Sequence, residues 1–144
     1  IINIDLLPGL LASFYFLKVQ GLPVNLVKNN NDFQKDVINL VPAGNLKFLD
    51  SIKSQLDLVF NSRSLCEMAI ETNREYLNFI NESASKYFYH ENSNFLLFPD
   101  SNRHIEILAE DFPIDKEIFA LKHMSLTPFT GGDGRYREYL YKRN

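Results

Sequence analysis

The stretch GLPVNLVKNNNDF, residues 21–33, decides the fold prediction for this chain. It opens with Gly21, a residue type that often ends helices, and its apolar run LPVNLV stops at three consecutive asparagines. A short apolar run between turn residues is typical of a buried strand. The preceding GLLASFYFLKVQ spaces its apolar side chains three and four apart, which predicts a helix, and the β-branched IINID before it predicts a strand. Residues 1–27 therefore predict a parallel β-α-β unit close to the minimum length.

The rest of the chain predicts one more strand and then helices. VINLVPAG, residues 37–44, indicates a strand that ends near Pro42, because proline cannot donate a hydrogen bond to a sheet. Helical spacing then returns over 46–60 and, most clearly, over 65–89. IEILAEDF, DKEIFALKHM and RYREYLYKR indicate three shorter helices near the end. We therefore predict an α/β half over 1–60 and an α-helical half over 61–144.

Composition limits the possible function classes. The chain has 144 residues, of which 45% are apolar, so it can bury a substantial core. The formal net charge of −3 argues against a general nucleic-acid binder. Cys66 is the only cysteine, which excludes an internal disulfide and favours an intracellular, reducing compartment. No apolar run reaches the roughly 18 to 20 residues of a transmembrane helix, so none is predicted.

The predicted element order resembles that of glutathione transferases, a thioredoxin-like half followed by a helical half. Within it, IDLLPGLLASFYFLKVQGLPVNLVKNNN, residues 4–31, resembles the start of the metaxin family of mitochondrial outer-membrane assembly proteins. The resemblance implies a helix-rich, glutathione-transferase-like fold with Val41-Pro42 at the position of a cis-proline. It also implies protein subunits as partners and a peripheral location at the mitochondrial outer membrane.

The residues that glutathione or redox chemistry requires are missing from the predicted positions. The turn NIDLLPG, residues 3–9, holds no Ser, Tyr or Cys to stabilise a thiolate, and Asp5 would repel one. Asp50-Ser51 is only a partial counterpart of the acidic-Ser pair that binds the glutathione backbone, and the chain has no CxxC. We therefore predict no catalytic residue and no cofactor.

Metal and phosphate motifs are also missing. The three histidines, His90, His104 and His123, have no second ligand at helical i+4 spacing, so each is expected in a loop or facing solvent. GGDG, residues 131–134, lacks the lysine of a phosphate-binding loop and indicates a turn. We predict no metal-binding residue.

The most distinctive charged stretch is RYREYLYKR, residues 135–143. Its interleaved cations and tyrosines could bind phosphates and stack on bases, or lie at an anionic lipid surface. The favoured interpretation is an amphipathic helix whose tyrosines pack while its cations stay hydrated. The candidate interaction residues are Arg135, Tyr136, Arg137, Tyr139, Tyr141, Lys142 and Arg143.

The sequence thus favours a non-enzymatic protein-interaction subunit of a larger assembly, with the mitochondrial outer membrane as the location that the resemblance implies. No specific nucleic-acid partner is expected. One alternative is an RNA-associated or complex-accessory module that uses residues 135–143. Another is part of an enzyme whose catalytic residues lie outside this chain.

Overall fold

A computed structural model describes residues 1–95, 107–127 and 135–144. The chain divides into two compact units, 1–52 and 53–144. Each unit has its own β-sheet, a three-stranded one in the first and a four-stranded one in the second.

The first unit contains the β-α-β arrangement that its sequence predicts. Strand β1 (Ile2–Asp5), helix α1 (Leu7–Val19) and strand β2 (Val24–Leu26) follow one another along the chain. Strand β3 (Ile38–Pro42) lies between the two other strands and runs parallel to both. The sheet is therefore entirely parallel, so the carboxyl ends of its strands share one edge. Its buried apolar residues are Leu10, Val27, Leu40, Val41 and Leu49.

The asparagine-rich break between β2 and β3 is a hydrogen-bonded loop. Asp32 Oδ2 accepts hydrogen bonds from the backbone N–H groups of Lys28 (2.8 Å) and Asn29 (3.1 Å). Asn25 Nδ2 donates to the backbone oxygen of Asp32 at 2.7 Å and to Asn39 Oδ1 at 2.9 Å. In this loop, hydrogen bonds from amide and carboxylate side chains to backbone groups take the place of the backbone hydrogen bonds between strands. They explain why the strand stops so abruptly.

The second unit contains another β-α-β arrangement. Strand β4 (Leu58–Ser62) and strand β5 (Tyr87–Ser93) are parallel neighbours, and helix α2 (Ile70–Glu82) lies between them in the chain. Strand β7 (Tyr136–Arg143) pairs antiparallel with β5 and with strand β6 (Phe119–Leu126), so the strand order is β4-β5-β7-β6.

One face of this second sheet packs against α2 and nearby short helices. Phe88 on β5 and Phe119 on β6 are essentially inaccessible to solvent, and Leu77 and Ile80 of α2 are buried with them. Burial of side chains of this size contributes about 1.5 to 3 kcal/mol each. The rest of the buried core consists of Leu65, Cys66, Ala109, Phe112 and Tyr139.

The predicted helical half is therefore wrong, and so is the glutathione-transferase-like fold with a thioredoxin-like half. The described residues form seven strands, two α-helices and four short 3-10 helices, at Leu46–Ser51, Lys53–Gln55, Leu65–Glu67 and Ala109–Asp111. The helix predicted over 65–89 is an α-helix only over Ile70–Glu82, and it is followed by β5. The segments predicted as helices over 115–124 and 135–143 are mostly strands β6 and β7, because the pairing of β7 with β5 and with β6 overrides their local pattern.

Pro42 ends a strand as predicted, but the prediction of a cis peptide bond before it is wrong. The Val41–Pro42 bond is trans, since no described peptide bond is cis. Pro42 is the last residue of β3, opposite Asp5, and Ala43 N–H donates to the Asp5 carbonyl at 2.8 Å. The missing proline N–H therefore falls at the strand end, where the N–H of Ala43 forms the hydrogen bond to β1 instead.

Among the described residues, no helix has both the length and the apolarity needed to cross a bilayer. The prediction of no transmembrane helix is confirmed to that extent.

Candidate functional site at the carboxyl ends of the parallel strands

Asp5 is the acidic residue at the carboxyl edge of the first sheet. It ends β1, and its Oδ1 accepts a hydrogen bond from Leu6 N–H at 2.7 Å, just before α1 begins. A Cβ atom added to Gly9 would lie 2.3 Å from Asp5 Oδ2. The carboxylate thus lies against the first turn of α1, and it can do so because residue 9 has no side chain. The partial positive charge of a helix N-terminus stabilises an anion there.

The position of Asp5 suits hydroxyl recognition better than phosphate recognition. Ligands of open parallel sheets bind beyond the carboxyl ends of the strands, and a carboxylate at that edge can accept hydrogen bonds from the hydroxyl groups of a ligand. Phosphates of dinucleotides need a glycine-rich turn and a free helix N-terminus. Here the turn reads NIDLLPG, and the Asp5 carboxylate already lies against the first turn of the helix.

A second polar group lies at the carboxyl ends of β4 and β5 in the other unit. Arg63 has a left-handed backbone, with φ of 58°, and its N–H donates to the Glu91 carbonyl at 2.7 Å. Its Nε and Nη2 donate to Glu91 Oε1 at 3.1 and 2.9 Å, and its guanidinium lies 4.8 Å from the ring centre of Tyr136. A left-handed non-glycine residue costs of order 1 kcal/mol or more, so these contacts hold a strained turn in place.

Two asparagines fix the loop that follows this turn. Asn61 Oδ1 accepts from Asn92 Nδ2 at 2.9 Å and from Leu65 N–H at 3.4 Å. Asn92 Oδ1 in turn accepts from Cys66 N–H at 3.2 Å. Asn92 is fully buried, so these hydrogen bonds replace those it would make with water. The loop after β4 is consequently held by side chains from two strand ends.

His90 lies in the core, although it was expected in a loop or facing solvent. It is 0% exposed on β5, its ring centre lies 4.7 Å from that of Tyr139, and burial lowers its pKa to about 3. Its Nε2 has no hydrogen-bond partner among the described residues. His90 is therefore neutral at physiological pH. His123 is exposed on β6, as expected, and His104 lies outside the described residues.

The predicted interaction residues 135–143 do not form one surface. Because they belong mostly to strand β7, alternate side chains point to opposite faces of the sheet. Tyr139 is buried in the core, while Lys142 is exposed. The amphipathic helix expected here is wrong.

The remaining sequence motifs give no further site. Asp50-Ser51 falls in the 3-10 helix Leu46–Ser51, and GGDG lies outside the described residues. In ranges 1–95, 107–127 and 135–144, no three His, Cys, Asp or Glu side chains come together as metal ligands. The Arg63–Glu91 pair was missed, since its members lie 28 positions apart and meet only when β4 pairs with β5.

Comparisons with known proteins identify a similar fold. No protein-family model matches the chain, and no curated protein matches it. The crystal structure of the PH0226 protein from Pyrococcus horikoshii OT3 is similar, with a TM-score of 0.51 and 12% sequence identity. The match covers 99% of this chain and 82% of that one. At this identity the likeness concerns the fold alone.

Proposed function

We propose that the 1–52 unit binds the ribose of an adenosine-type cofactor through Asp5. The observation that carries the proposal is the Asp5 carboxylate, which lies at the carboxyl edge of a parallel sheet and against the first turn of α1. Two neighbouring ribose hydroxyls can donate to one carboxylate, and hydrogen bonds to a charged acceptor are about twice as strong as neutral ones. The acid would position the cofactor and take no part in bond making.

The same carboxylate favours a cofactor without phosphate groups. A phosphate beside Asp5 would meet a like charge, and the turn lacks the glycines that let a backbone approach pyrophosphate. S-adenosylmethionine is an adenosine cofactor of this kind, with a positively charged sulfonium in place of phosphates. If S-adenosylmethionine is the cofactor, the proposed activity would be transfer of its methyl group from the sulfonium sulfur to a nucleophilic atom of an acceptor, with S-adenosylhomocysteine as the leaving group.

Replacing Asp5 with asparagine should weaken binding of S-adenosylmethionine about tenfold, because one charge-assisted acceptor becomes neutral. Asparagine keeps an oxygen for Leu6 N–H, so the start of α1 should survive. Isothermal titration with S-adenosylmethionine, adenosine and ATP measures the effect, and ATP should bind no more tightly than adenosine.

The matched control is Asp36→Asn, which removes one exposed carboxylate from the same unit. A second variant, Gly9→Ala, keeps the charge of Asp5 but places a methyl group 2.3 Å from Oδ2, so it should also weaken binding. Equal affinities for wild type and Asp5→Asn, or a clear preference for ATP over adenosine, would contradict the proposal.

A second candidate function, protein association, is favoured by the apolar surface of α1. Leu11 is 60% exposed and Tyr15 is 73% exposed, and Leu7, Phe16 and Val19 are exposed as well. Lys18 is the only charged residue of the helix. Contiguous exposed apolar side chains of this kind mark interaction surfaces. A second copy of the chain fits such a surface, since a mostly apolar face can be complementary to itself in a twofold dimer.

Replacing Leu11 and Tyr15 with glutamate should abolish that association, because each buried carboxylate in an apolar interface costs several kcal/mol. Sedimentation velocity at high micromolar concentration measures the oligomeric state. Gln20→Glu, which adds a charge just after the helix, is the control and should stay associated. A monomeric wild-type protein would rule out the second copy as the partner.

A further inference from the structure

A cleft of about 400 Å³ opens within the 53–144 unit, on the face of the sheet that carries Tyr139 and Tyr141. Its other apolar lining residues include Phe119, Leu121 and Met124 of β6. Leu121 pairs with Tyr141 and Met124 with Tyr139, and the register shifts between them by a β-bulge. The bulge is why two side chains three positions apart line the same cleft, whereas a regular strand would point them to opposite faces.

Cations and one carboxylate complete the lining. Arg137 of β7 and Lys116 of the segment before β6 contribute positive charges, and Glu110 contributes a negative one. In the described part of the chain, neither cationic side chain forms a hydrogen bond or an ion pair. The cleft therefore combines an apolar wall with a net charge of about +1, from two available cations and one acid.

We infer that this cleft binds a small carboxylate with a flat, aromatic body. A volume of this size lies in the range of small-molecule sites, which are mostly apolar with a few polar groups that fix orientation. Tyr141 is half-buried and its ring stacks on that of the buried Tyr139, at 12° and 6.3 Å between centres, so Tyr141 offers an aromatic surface to a flat ligand. Arg137 offers the two N–H groups that bind a carboxylate side by side.

The charges favour a carboxylate over a phosphate monoester. A dianion would bring two negative charges to a cleft whose net charge is about +1, and Glu110 would repel it. The Tyr139 hydroxyl accepts a hydrogen bond from Asn94 Nδ2 at 2.8 Å, which holds its ring in place. Burial raises the pKa of Tyr141 to about 12, so its hydroxyl remains an uncharged donor.

The test uses naphthalene-2-carboxylate and its neutral counterpart, naphthalene-2-carboxamide, titrated into the intact chain and followed by calorimetry. The carboxylate should bind about tenfold more tightly than the amide, as one charge-assisted pair predicts. Arg137→Gln should remove this difference. Lys142→Gln is the matched control, because Lys142 lies on the same strand but points to the opposite face. 2-Naphthyl phosphate should bind no more tightly than the carboxylate.

A second variant keeps the test decisive if Arg137→Gln is poorly folded. Met124 is 50% exposed on the edge strand β6, so Met124→Glu should fold and should block both naphthalene ligands. Equal affinity for carboxylate and amide, unchanged preference in Arg137→Gln, or absence of saturable binding would each overturn the inference. The Asp5 variant should bind both probes normally, which separates this cleft from the proposed cofactor site.

Discussion

Replacing His90 with phenylalanine should make folding stability far less sensitive to acid. Burial lowers the pKa of His90 from 6.5 to about 3. Above pH 6.5 the imidazole is neutral in both folded and unfolded chains and adds no pH dependence. Below that value the unfolded chain takes up a proton that the folded chain cannot accept until about pH 3, so the free energy of unfolding falls. The loss is about 1.4 kcal/mol per pH unit, or roughly 2 kcal/mol at pH 5.

The surroundings of His90 explain why phenylalanine should fit. The ring packs among aromatic rings, with centres 5.1 Å from Phe88 and 5.1 Å from Phe112, and Nε2 has no hydrogen-bond partner in the described residues. A buried polar atom without a partner costs about 1 to 3 kcal/mol. His90→Phe removes that cost, while it gives up a long contact of 3.5 Å between Nδ1 and Asn92 Nδ2. Stability at pH 7.5 should be equal to that of wild type or greater.

Urea unfolding at pH 7.5 and pH 5 measures both effects, in a window where most carboxylates remain ionised. Wild type should lose about 2 kcal/mol between the two values and His90→Phe much less. His123→Gln is the control, because His123 is exposed and its variant should keep most of the wild-type dependence. Parallel pH profiles for wild type and His90→Phe would show that His90 does not carry the effect.

Local sequence patterns were sufficient to predict the strands and the helix of the first unit, but they were insufficient to predict the strands of the second. In residues 1–42, each predicted strand is short and bounded by turn residues, and Gly21, with φ of +72°, ends α1 as expected. In Tyr87–Ser93 the apolar side chains also fit the helical spacing of α2, so the pattern extended the helix too far. Only the burial of Phe88 beside an exposed Tyr87 shows the alternation of buried and exposed side chains that is typical of a strand. That burial depends on the pairing of β5 with β4 and β7.

The candidate sites were visible in the sequence to different degrees. Asp5 was recognised as the residue that would repel a thiolate, but its place at a sheet edge required the pairing of β1 with β3. The Arg63–Glu91 pair and the cleft beside Arg137 depend on strand neighbours far apart in the chain. No local motif marks such contacts, because the register of a sheet is set by tertiary packing.

Replacing Arg143 with glutamine should lower the free energy of unfolding by about 3 kcal/mol, since hydrogen bonds to charged groups contribute about 1.5 to 3 kcal/mol each. Arg143 Nε donates to the Ser85 carbonyl at 3.0 Å, and Nη2 donates to the carbonyls of Asn81, at 3.1 Å, and of Ser83. Its guanidinium also lies 4.6 Å from the ring centre of Phe119.

The large loss of stability expected for Arg143→Gln follows from the contacts that Arg143 makes at the carboxyl end of α2. The helix has no basic residue in its last turn, so the cation that offsets its negative end comes from β7, about 60 positions further along the chain.

Urea unfolding of Arg143→Gln, Arg143→Lys and Lys142→Gln separates the possible causes. Lysine keeps the charge but cannot reach three carbonyls with one planar group, so it should restore only part of the loss. Lys142→Gln removes an exposed neighbouring charge and should change stability by less than about 0.5 kcal/mol. Full recovery in Arg143→Lys would show that charge alone stabilises the helix end, and an unchanged Arg143→Gln would show that these hydrogen bonds contribute nothing.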